Sequence, residues 1–383
     1  MKESSTVGRL ALKVLVVAWI LHGLQLPGVD LLQAGQAGTG WEKEWEKTVN
    51  AAKAEGQLTI YANVGYEKIF PQFEKRYPEI RVVYVTGRGA PDLLPRLLSE
   101  QRAGRYIGDL FLAGPTPAFT LHQTGALDSM RSALLLPEVA DKSKWWQGKY
   151  HFVDPEQEHI FTFNGIFRVD VVYNKNLVDP KELKSYWDLL NPKWQGKMVA
   201  YSPVLAPYKF FYHQADLGPE FLRRLFTEME VTPSRDLRQI TDWLAVGKFA
   251  LAVLFPPSEV HFTAAQEQGL PIGSFRPGHF KEGVNLVAAS GSAALLKRAP
   301  HPNAAKVVLN WLLSREGQMA YQENYGVGGT RDSRRIDIPK DGVRPEFRRV
   351  DGVKYFDVDL PEYIDPKPIQ DLMNRLLKAK RKL

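Results

Sequence analysis

The stretch EGVNLVAASGSAALLKRAPHPNAAKVVLNWLLSREGQMAYQENYGVGGTR, residues 282–331, contains the clearest structural pattern of the chain. A strand pair is predicted to give way to two short helices between His301 and Gln318. Pro302 opens the first helix, and Ser314 is placed to cap the second. One face of the first helix has apolar residues at helical spacing, namely Ala304, Val307, Val308, Trp311 and Leu312. The stretch contains no catalytic motif, which indicates a structural scaffold.

Upstream of this stretch, short β runs alternate with amphipathic helices from Gln57 onward. The predicted strands of this first set span residues 57–61, 80–85 and 109–112. Two helical faces lie between them, formed by Tyr66, Ile69, Phe70, Phe73 and Tyr77 and by Leu93, Leu94, Leu97 and Leu98. Such alternation predicts parallel strands joined by right-handed helical crossovers.

A second α/β set begins with a predicted strand at residues 198–201, after extended runs at 160–163 and 169–173 that we interpret as a passage between lobes. Its other predicted elements are helices at 207–217, 219–229, 234–246 and 257–268, a strand at 249–255 and a terminal helix at 368–382.

The run 284–295 is predicted to return to the first set, so that two connections form a hinge. A chain of 383 residues also exceeds what one core usually supports. We therefore predict two lobes. The first comprises residues 41–165 and 284–325, and the second comprises residues 166–283 and 326–383, including a C-terminal extension.

Four further segments, in this order and spacing, resemble one protein family together with the closing block. They are LTIYANVGYEKIFPQFEKRYP (58–78), GDLFLAGP (108–115), VVYNKNLV (171–178) and SYWDLLNPKWQGKMV (185–199). The chain resembles the type II periplasmic solute-binding proteins of ABC importers, extracellular solute-binding protein family 1, and especially its ferric-ion, thiamine and phosphonate-binding members.

This resemblance implies an α/β, two-lobed periplasmic-binding-protein type II fold with a hinge of two crossover strands and a central ligand cleft. It implies that the protein captures a small solute and delivers it to ABC permease subunits in the inner membrane. It further implies a monomer that has no cofactor and no catalytic residues.

The N-terminus has the pattern of a secretory signal peptide, with cleavage expected near Ala34 or Ala37. Basic residues precede the apolar run 14–26, which is short for a membrane span, although an uncleaved anchor is the competing interpretation. Removing residues 1–37 changes the formal net charge from +7 to about +6. With no cysteine in the chain, we expect a soluble periplasmic protein without disulfides. The basic tail 375–382 lies on a predicted helix and does not indicate nucleic-acid binding.

Ligands of open α/β sheets bind beyond the carboxyl ends of strands, near helix N-termini. An acidic group is expected to meet arginine, because guanidinium offers paired donors. Arg235 is the leading candidate because it follows Ser234 at a predicted helix start, although a surface ion pair is the alternative for any single arginine. The predicted ligand-binding residues are Asn63, Arg88, Gly114, Tyr201, Ser202, Ser234, Arg235, Phe255 and Arg331.

The polarity of the residues expected at these strand ends favours an organic acid over a small bare anion. Two prolines in the loop 202–207, SPVLAP, remove amide donors, whereas Tyr201 and Phe255 are expected to form an aromatic wall. Asn63 and Arg88 are expected to contribute from the opposite lobe.

The residues expected of ferric-ion-binding relatives are missing at the matching positions. Phe255 and Pro256 replace the tyrosine pair, Gly114 replaces the acidic ligand, and Val64 and Gly65 replace the histidine. We therefore predict no metal ligand. The ferric alternative then depends on unassigned tyrosines, namely Tyr61, Tyr66, Tyr201 and Tyr208.

A secreted hydrolase is the main alternative from another class, but the chain has no Gly-x-Ser-x-Gly elbow, no His-Glu-x-x-His site and no cysteine nucleophile. The segment DPEQEH, residues 154–159, has paired acids and a histidine but is expected to be a solvated turn. A subunit that presents its solute to a membrane sensor is a further alternative, because sensing and transport both need closure on a ligand.

Overall fold

The computed structural model describes residues 40–87, 90–202, 206–256, 261–326 and 329–380. The predicted signal peptide, residues 1–37, lies outside these residues, as does Arg88. Within them, no helix is both long enough and apolar enough to cross a membrane.

The strands, in chain order, are β1 (Gln57–Asn63), β2 (Arg81–Gly87), β3 (Leu110–Ala113), β4 (Leu127–Asp128), β5 (Phe161–Thr162), β6 (Ile166–Arg168), β7 (Val171–Asn174), β8 (Met198–Tyr201), β9 (Thr232–Ser234), β10 (Leu251–Val253), β11 (Ile272–Ser274), β12 (Val284–Val287), β13 (Ser292–Leu296) and β14 (Tyr355–Asp357). The α-helices are α1 (Gly40–Glu55), α2 (Pro71–Arg76), α3 (Ala90–Arg102), α4 (Pro115–Gln123), α5 (Pro137–Ala140), α6 (Ala206–His213), α7 (Gly218–Glu228), α8 (Leu237–Ala245), α9 (His261–Glu267), α10 (Pro302–Leu313), α11 (Arg315–Asn324) and α12 (Lys367–Lys380).

The first sheet has the order β2-β1-β3-β13-β4, with β5 also paired to β13. As predicted, β1 is parallel to β2 and β3, whereas β13 runs antiparallel to its neighbours. Alternate residues of β1 lie in different apolar clusters: Ile60 lies in the cluster that contains Val308 of α10, and Tyr61 lies in the one that contains Leu97 of α3. The sheet is therefore covered by helices on both faces, and with those helices it is called the first lobe.

The second sheet has the order β11-β7-β10-β8-β9. β8 is parallel to β9 and β10, and β7 is antiparallel to β10 and β11. Ala200 belongs to the apolar cluster that contains Phe210 of α6, whereas Val199 belongs to the one that contains Ile240 of α8. Helices again cover both faces, and this sheet with α6–α9 is called the second lobe.

A small third sheet, β14-β12-β6, lies where the chain passes between the lobes. The chain leaves the first sheet through β5 into β6 and returns through β12 into β13. β12 and β13 are the strand pair predicted before the two closing helices, and the returning run 284–295 turns between them at residues 288–291. We call residues 288–291 the crossover loop. The two passages are the hinge strands that the sequence predicted.

The closing block folds as predicted. α10 begins at Pro302, and α11 begins after Ser314, whose Oγ accepts a hydrogen bond from the amide of Gly317 at 3.2 Å. Other helix boundaries were wrong. The face Tyr66–Tyr77 is divided at Pro71 into a short 3-10 turn and α2, and the helix predicted from Ser234 begins three residues later, at Leu237.

The C-terminal segment contacts several parts of the molecule in turn. Ser333 and Arg335 form β-bridges with Asn164 and Trp145, which belong to the part of the chain around the first lobe. β14 then pairs with β12, and α12 places Ile369 in the core of the second lobe. The segment therefore connects elements associated with both lobes.

Candidate ligand-binding cleft

The carboxyl ends of β1 and β3 meet the crossover loop. Nδ2 of Asn63 donates a hydrogen bond to Oγ of Ser290 at 2.8 Å. A Cβ placed on Gly114 would lie 2.9 Å from the carbonyl oxygen of Ala289, so this close approach requires glycine. The structure thus brings two predicted site residues, Asn63 and Gly114, to the same loop.

Arg331 lies beside this group through a set of aromatic contacts. The hydroxyl of Tyr66 donates to the carbonyl of Ser290 at 2.5 Å, and the ring of Tyr325 lies 4.7 Å from that of Tyr66. The Arg331 guanidinium is 5.0 Å from the centre of the Tyr325 ring, within cation–π range. Gly65, at φ 111°, leaves space for the Tyr325 ring. Tyr325 and Tyr66 therefore connect the Arg331 guanidinium to the crossover loop.

Two strained backbone positions lie next to the predicted ligand residues Gly114 and Phe255. Ala289 in the crossover loop and Leu254 after β10 both adopt φ 51°, in the left-handed region that disfavours residues with a Cβ. Such outliers often occur at binding sites, where the surrounding structure holds them in place. Both therefore favour a functional role for these strand ends.

In the second lobe, the predicted residues Tyr201, Ser202 and Ser234 lie side by side. Tyr201 is paired with Ser234 across β8 and β9, and the amide of Ser202 donates to the carbonyl of Ser234 at 2.8 Å. The Ser234 hydroxyl donates to Oε1 of Gln239 at 3.0 Å. Tyr201 is half-buried, and burial followed by the nearby Asp236 carboxylate raises the pKa of its phenol.

The helix start assigned to Ser234 was wrong, and this changes the argument for Arg235. Asp236 is the N-cap of α8, and its carboxylate accepts the amides of Arg238 at 2.8 Å and Gln239 at 3.1 Å. These amides are already bonded to an anionic side chain and are not available to a ligand. Arg235 is exposed, so its own guanidinium remains available to a solute.

The aromatic wall also differs from the prediction. Phe255 is fully buried in the core of the second lobe, where its ring lies 6.2 Å from that of Phe262. It is therefore a packing residue in this structure and does not line the cleft. Tyr201 remains the partly exposed member of the predicted wall.

Lys209 is a candidate site residue that was not predicted from the sequence. It lies in α6 with 6% of its surface exposed, and its Nζ approaches Oγ1 of Thr116 in α4 at 3.5 Å. This contact joins the second lobe to the first. Burial lowers the pKa of Lys209, and the carboxylates of Asp359 and Asp365 partly oppose that effect. The available signal was a single lysine within the apolar run PYKFFY, residues 207–212.

The N-terminus of α4 has few amides to offer an anion. Its N-cap is Gly114, which provides no side-chain cap, and Pro115 and Pro117 both lack an N–H group. Thr116 supplies the one amide among these first three helical residues. Donors at this position must therefore come mainly from side chains, such as the Thr116 hydroxyl and the Lys209 ammonium.

The segment 154–159 is the predicted turn, with residues 155–157 exposed, but its first residue is not solvated. Asp154 is fully buried, and its carboxylate accepts the amides of Glu158, His159 and Ile160 at 2.9–3.0 Å. The other acid that contacts a histidine here, Glu156, lies beside His122 and is half exposed. Asp154 therefore fixes the backbone of this segment.

Solved structures with the same fold were found at low sequence identity. The chain is 20% identical to IdiA (FutA) of Trichodesmium in complex with iron and citrate, with a TM-score of 0.62 and coverage of 85% of this chain and 99% of that one. It is 19% identical to iron-bound HitA of Pseudomonas aeruginosa, with a TM-score of 0.61 and coverage of 84% and 99%. It is also 19% identical to AfuA of Actinobacillus pleuropneumoniae with exogenous fructose-6-phosphate, with a TM-score of 0.58 and coverage of 84% and 98%.

These similarities establish the α/β, two-lobed periplasmic-binding-protein type II fold that the sequence predicted. The structures are of binding proteins. A family model for the bacterial extracellular solute-binding proteins matches residues 59–319, and the chain therefore belongs to that family.

Proposed function

We propose that this protein is the substrate-binding component of an ABC importer and that it captures a small organic acid between its lobes for delivery to permease subunits in the inner membrane. The observation that most supports this ligand class is Lys209, an almost fully buried lysine beside Thr116 of the opposite lobe. A buried cation is costly unless anionic groups compensate it. An acidic solute at this point would add such a group and would contact both lobes.

Other residues are assigned roles around that contact. Asn63 of the first lobe and Arg331 of the C-terminal segment would also contact the solute. Oδ1 of Asn63 is buried and has no hydrogen-bond partner among the described residues, and it would accept a hydrogen bond from a hydroxyl of the solute. Arg235 and the half-buried ring of Tyr201 would bind the solute from the second lobe. Ser202, Ser234 and Gly114 would shape the backbone around it, and Arg88 stays a predicted contact.

The fold is compatible with an anionic organic solute, since the AfuA structure is described with fructose-6-phosphate bound. The family also supports export, and we infer that residues 1–37 direct the chain to the periplasm, where it acts as a monomer. The two lobes would follow the predicted boundaries, 41–165 with 284–325 and 166–283 with 326–383.

Ferric ion is the second candidate, favoured by the iron-bound structures of IdiA and HitA. Against it, three of the four tyrosines that sustained this alternative are buried, namely Tyr61, Tyr66 and Tyr208. Burial is the largest cause that raises the pKa of each of these phenols. A phenolate ligand must lose its proton, so these positions disfavour iron.

A thermal-shift panel of the purified protein tests the proposal. The panel contains small dicarboxylates, aromatic acids, phosphonates, sugar phosphates, thiamine, and ferric salts with citrate. Selective binding to the folded state at a hundredfold excess over Kd stabilises it by about 2.7 kcal/mol. We expect a large shift with one class of organic acid. A shift with ferric salts alone would replace the proposed ligand class with iron.

A further inference from the structure

Away from the cleft, two histidines and two carboxylates from separate segments meet near the far end of α4. Nε2 of His122, in the last turn of α4, lies 2.9 Å from Oε2 of Glu156. Nδ1 of His159 lies 3.1 Å from Oδ1 of Asp154 and 3.9 Å from Oε2 of Glu156. One potential ligand atom from each of the four residues lies within 4.8 Å of those of the other three.

We propose that His122, Asp154, Glu156 and His159 form a binding site for a divalent transition-metal ion of the zinc class. Zinc binds imidazole nitrogen and carboxylate oxygen at about 2.0–2.2 Å, which places tetrahedral ligand atoms roughly 3.3 Å apart. The distances of 2.9, 3.1 and 3.9 Å lie close to that value. Two imidazoles distinguish this set from the all-oxygen sites that calcium and magnesium prefer.

The protein holds two of these ligands in place before any ion binds. Asp154 accepts amides of Glu158, His159 and Ile160, which fixes the loop that also contains His159. The Asp154 carboxylate is therefore held in one orientation, with Oδ1 3.1 Å from Nδ1 of His159.

The outer side of the cluster is accessible to an ion. His122 and His159 each have 17% of the side chain exposed, and Glu156 has 52% exposed. The His122 ring is stacked on Phe119 at 5.9 Å, which limits its orientation. An ion can therefore enter beside Glu156 and meet ligands that are already oriented.

The site is separate from the cleft and would have a different consequence. His122 lies at the opposite end of α4 from Gly114, about 12 Å along the helix axis at 1.5 Å per residue. His159 precedes β5, through which the chain leaves the first sheet, by two residues. A bound ion would join α4 to the segment that enters the hinge. Because none of its four ligands is a proposed solute contact, its binding does not depend on the solute proposed above.

Zinc titration of metal-free, untagged full-length protein tests this site, with Co²⁺ absorption as a report of tetrahedral coordination. The variants are Glu156→Ala, which changes a half-exposed side chain, and His122→Gln. His261→Gln is the matched control, because His261 is an exposed histidine on α9. Circular dichroism verifies that each variant is folded.

We expect one zinc ion per chain, with affinity weakened at least about 10-fold in Glu156→Ala and His122→Gln and unchanged in His261→Gln; loss of even an outer-shell partner has effects of that size. The tetrahedral Co²⁺ band should disappear in both variants. Absence of stoichiometric zinc binding in the wild type would overturn the proposal. Equal affinity in Glu156→Ala would also overturn it, even if His122→Gln failed to fold.

Discussion

His151 is a neutral imidazole fixed between a buried arginine and a backbone carbonyl. Its Nδ1 accepts a hydrogen bond from Nη1 of Arg334 at 2.9 Å, and its Nε2 donates to the carbonyl of Trp146 at 2.8 Å. A second ring proton would point at the guanidinium. Burial, followed by the Arg334 charge, lowers the pKa of His151 to about 2.

The buried His151 should make folding stability depend on pH. Because the folded pKa of about 2 lies below the unfolded value of 6.5, its contribution is present above pH 6.5 and is lost as pH falls below it. In His151→Gln, the amide can reproduce both hydrogen bonds without titrating. From pH 7.5 to 5.5, urea unfolding should show the wild type losing about 1 kcal/mol more than the variant.

The control for this comparison is His261→Gln, which makes the same substitution at an exposed histidine. Asp359, whose pKa is raised to about 6 mainly by burial, has the opposite sign and is present in every protein compared, so it cancels in the difference. Parallel pH profiles for the wild type and His151→Gln would contradict the assignment of a neutral buried imidazole.

The burial of individual polar side chains was harder to predict from the sequence than any other feature of the candidate site. The pattern placed Asn63 and Gly114 at the carboxyl ends of β1 and β3, because loop positions follow from alternation of elements. It missed Lys209 and the burial of Asp154, since enclosure depends on elements distant in sequence. A local choice of N-cap between Ser234 and Asp236 likewise changed the argument for Arg235.

Among the elements, the two helices after β13 depend on one serine between them. Ser314 Oγ accepts the amide of Gly317 at 3.2 Å and donates to the carbonyl of Trp311 at 2.7 Å. It therefore satisfies backbone groups at the end of α10 and the start of α11. Gly317 allows this close turn, because a Cβ there would lie 2.0 Å from the carbonyl oxygen of Trp311.

Replacing the cap should weaken the fold measurably. Ser314→Ala removes the N-cap of α11 and is expected to lower the free energy of unfolding by about 1 kcal/mol, within a range of about 0.5–2 kcal/mol. Urea unfolding followed by far-UV circular dichroism measures this. Ser99→Ala, on an exposed position of α3, is the control and should change stability by no more than about 0.5 kcal/mol. Equal stability of Ser314→Ala and wild type would refute the capping role.

Elements were predictable where local signals agreed and less so where they did not. Helical periodicity, Pro302 and Ser314 all indicated the same boundaries for α10 and α11. In the run 284–295 the strand pair was predicted, but the position of the break at which the chain changes sheets was not. That break depends on the partners of β12 and β13, which a local pattern does not reveal.

For the whole molecule, two covered sheets and two passages between them define a hinged binding fold. Alternation of strands and helices predicted this architecture, because each amphipathic element needs a layer to cover it. The C-terminal segment was less predictable: its buried Arg334 donates to the carbonyl of Asn164 at 2.9 Å and forms an ion pair with Asp357 of β14 at 2.9 Å. Those contacts stabilise the region between the lobes.

Calorimetric titration with the organic acid that gives the largest thermal shift tests whether Lys209 binds an acidic solute between the lobes. The proteins compared are the wild type, Lys209→Met and the exposed control Lys175→Met. We expect one site per chain in the wild type and the control. Affinity should be at least about 10-fold weaker in Lys209→Met, equivalent to about 1.4 kcal/mol or more, because a charged hydrogen bond is lost. Equal affinity in Lys209→Met, or binding of ferric ion and of no organic acid, would rule out capture of an organic acid at Lys209.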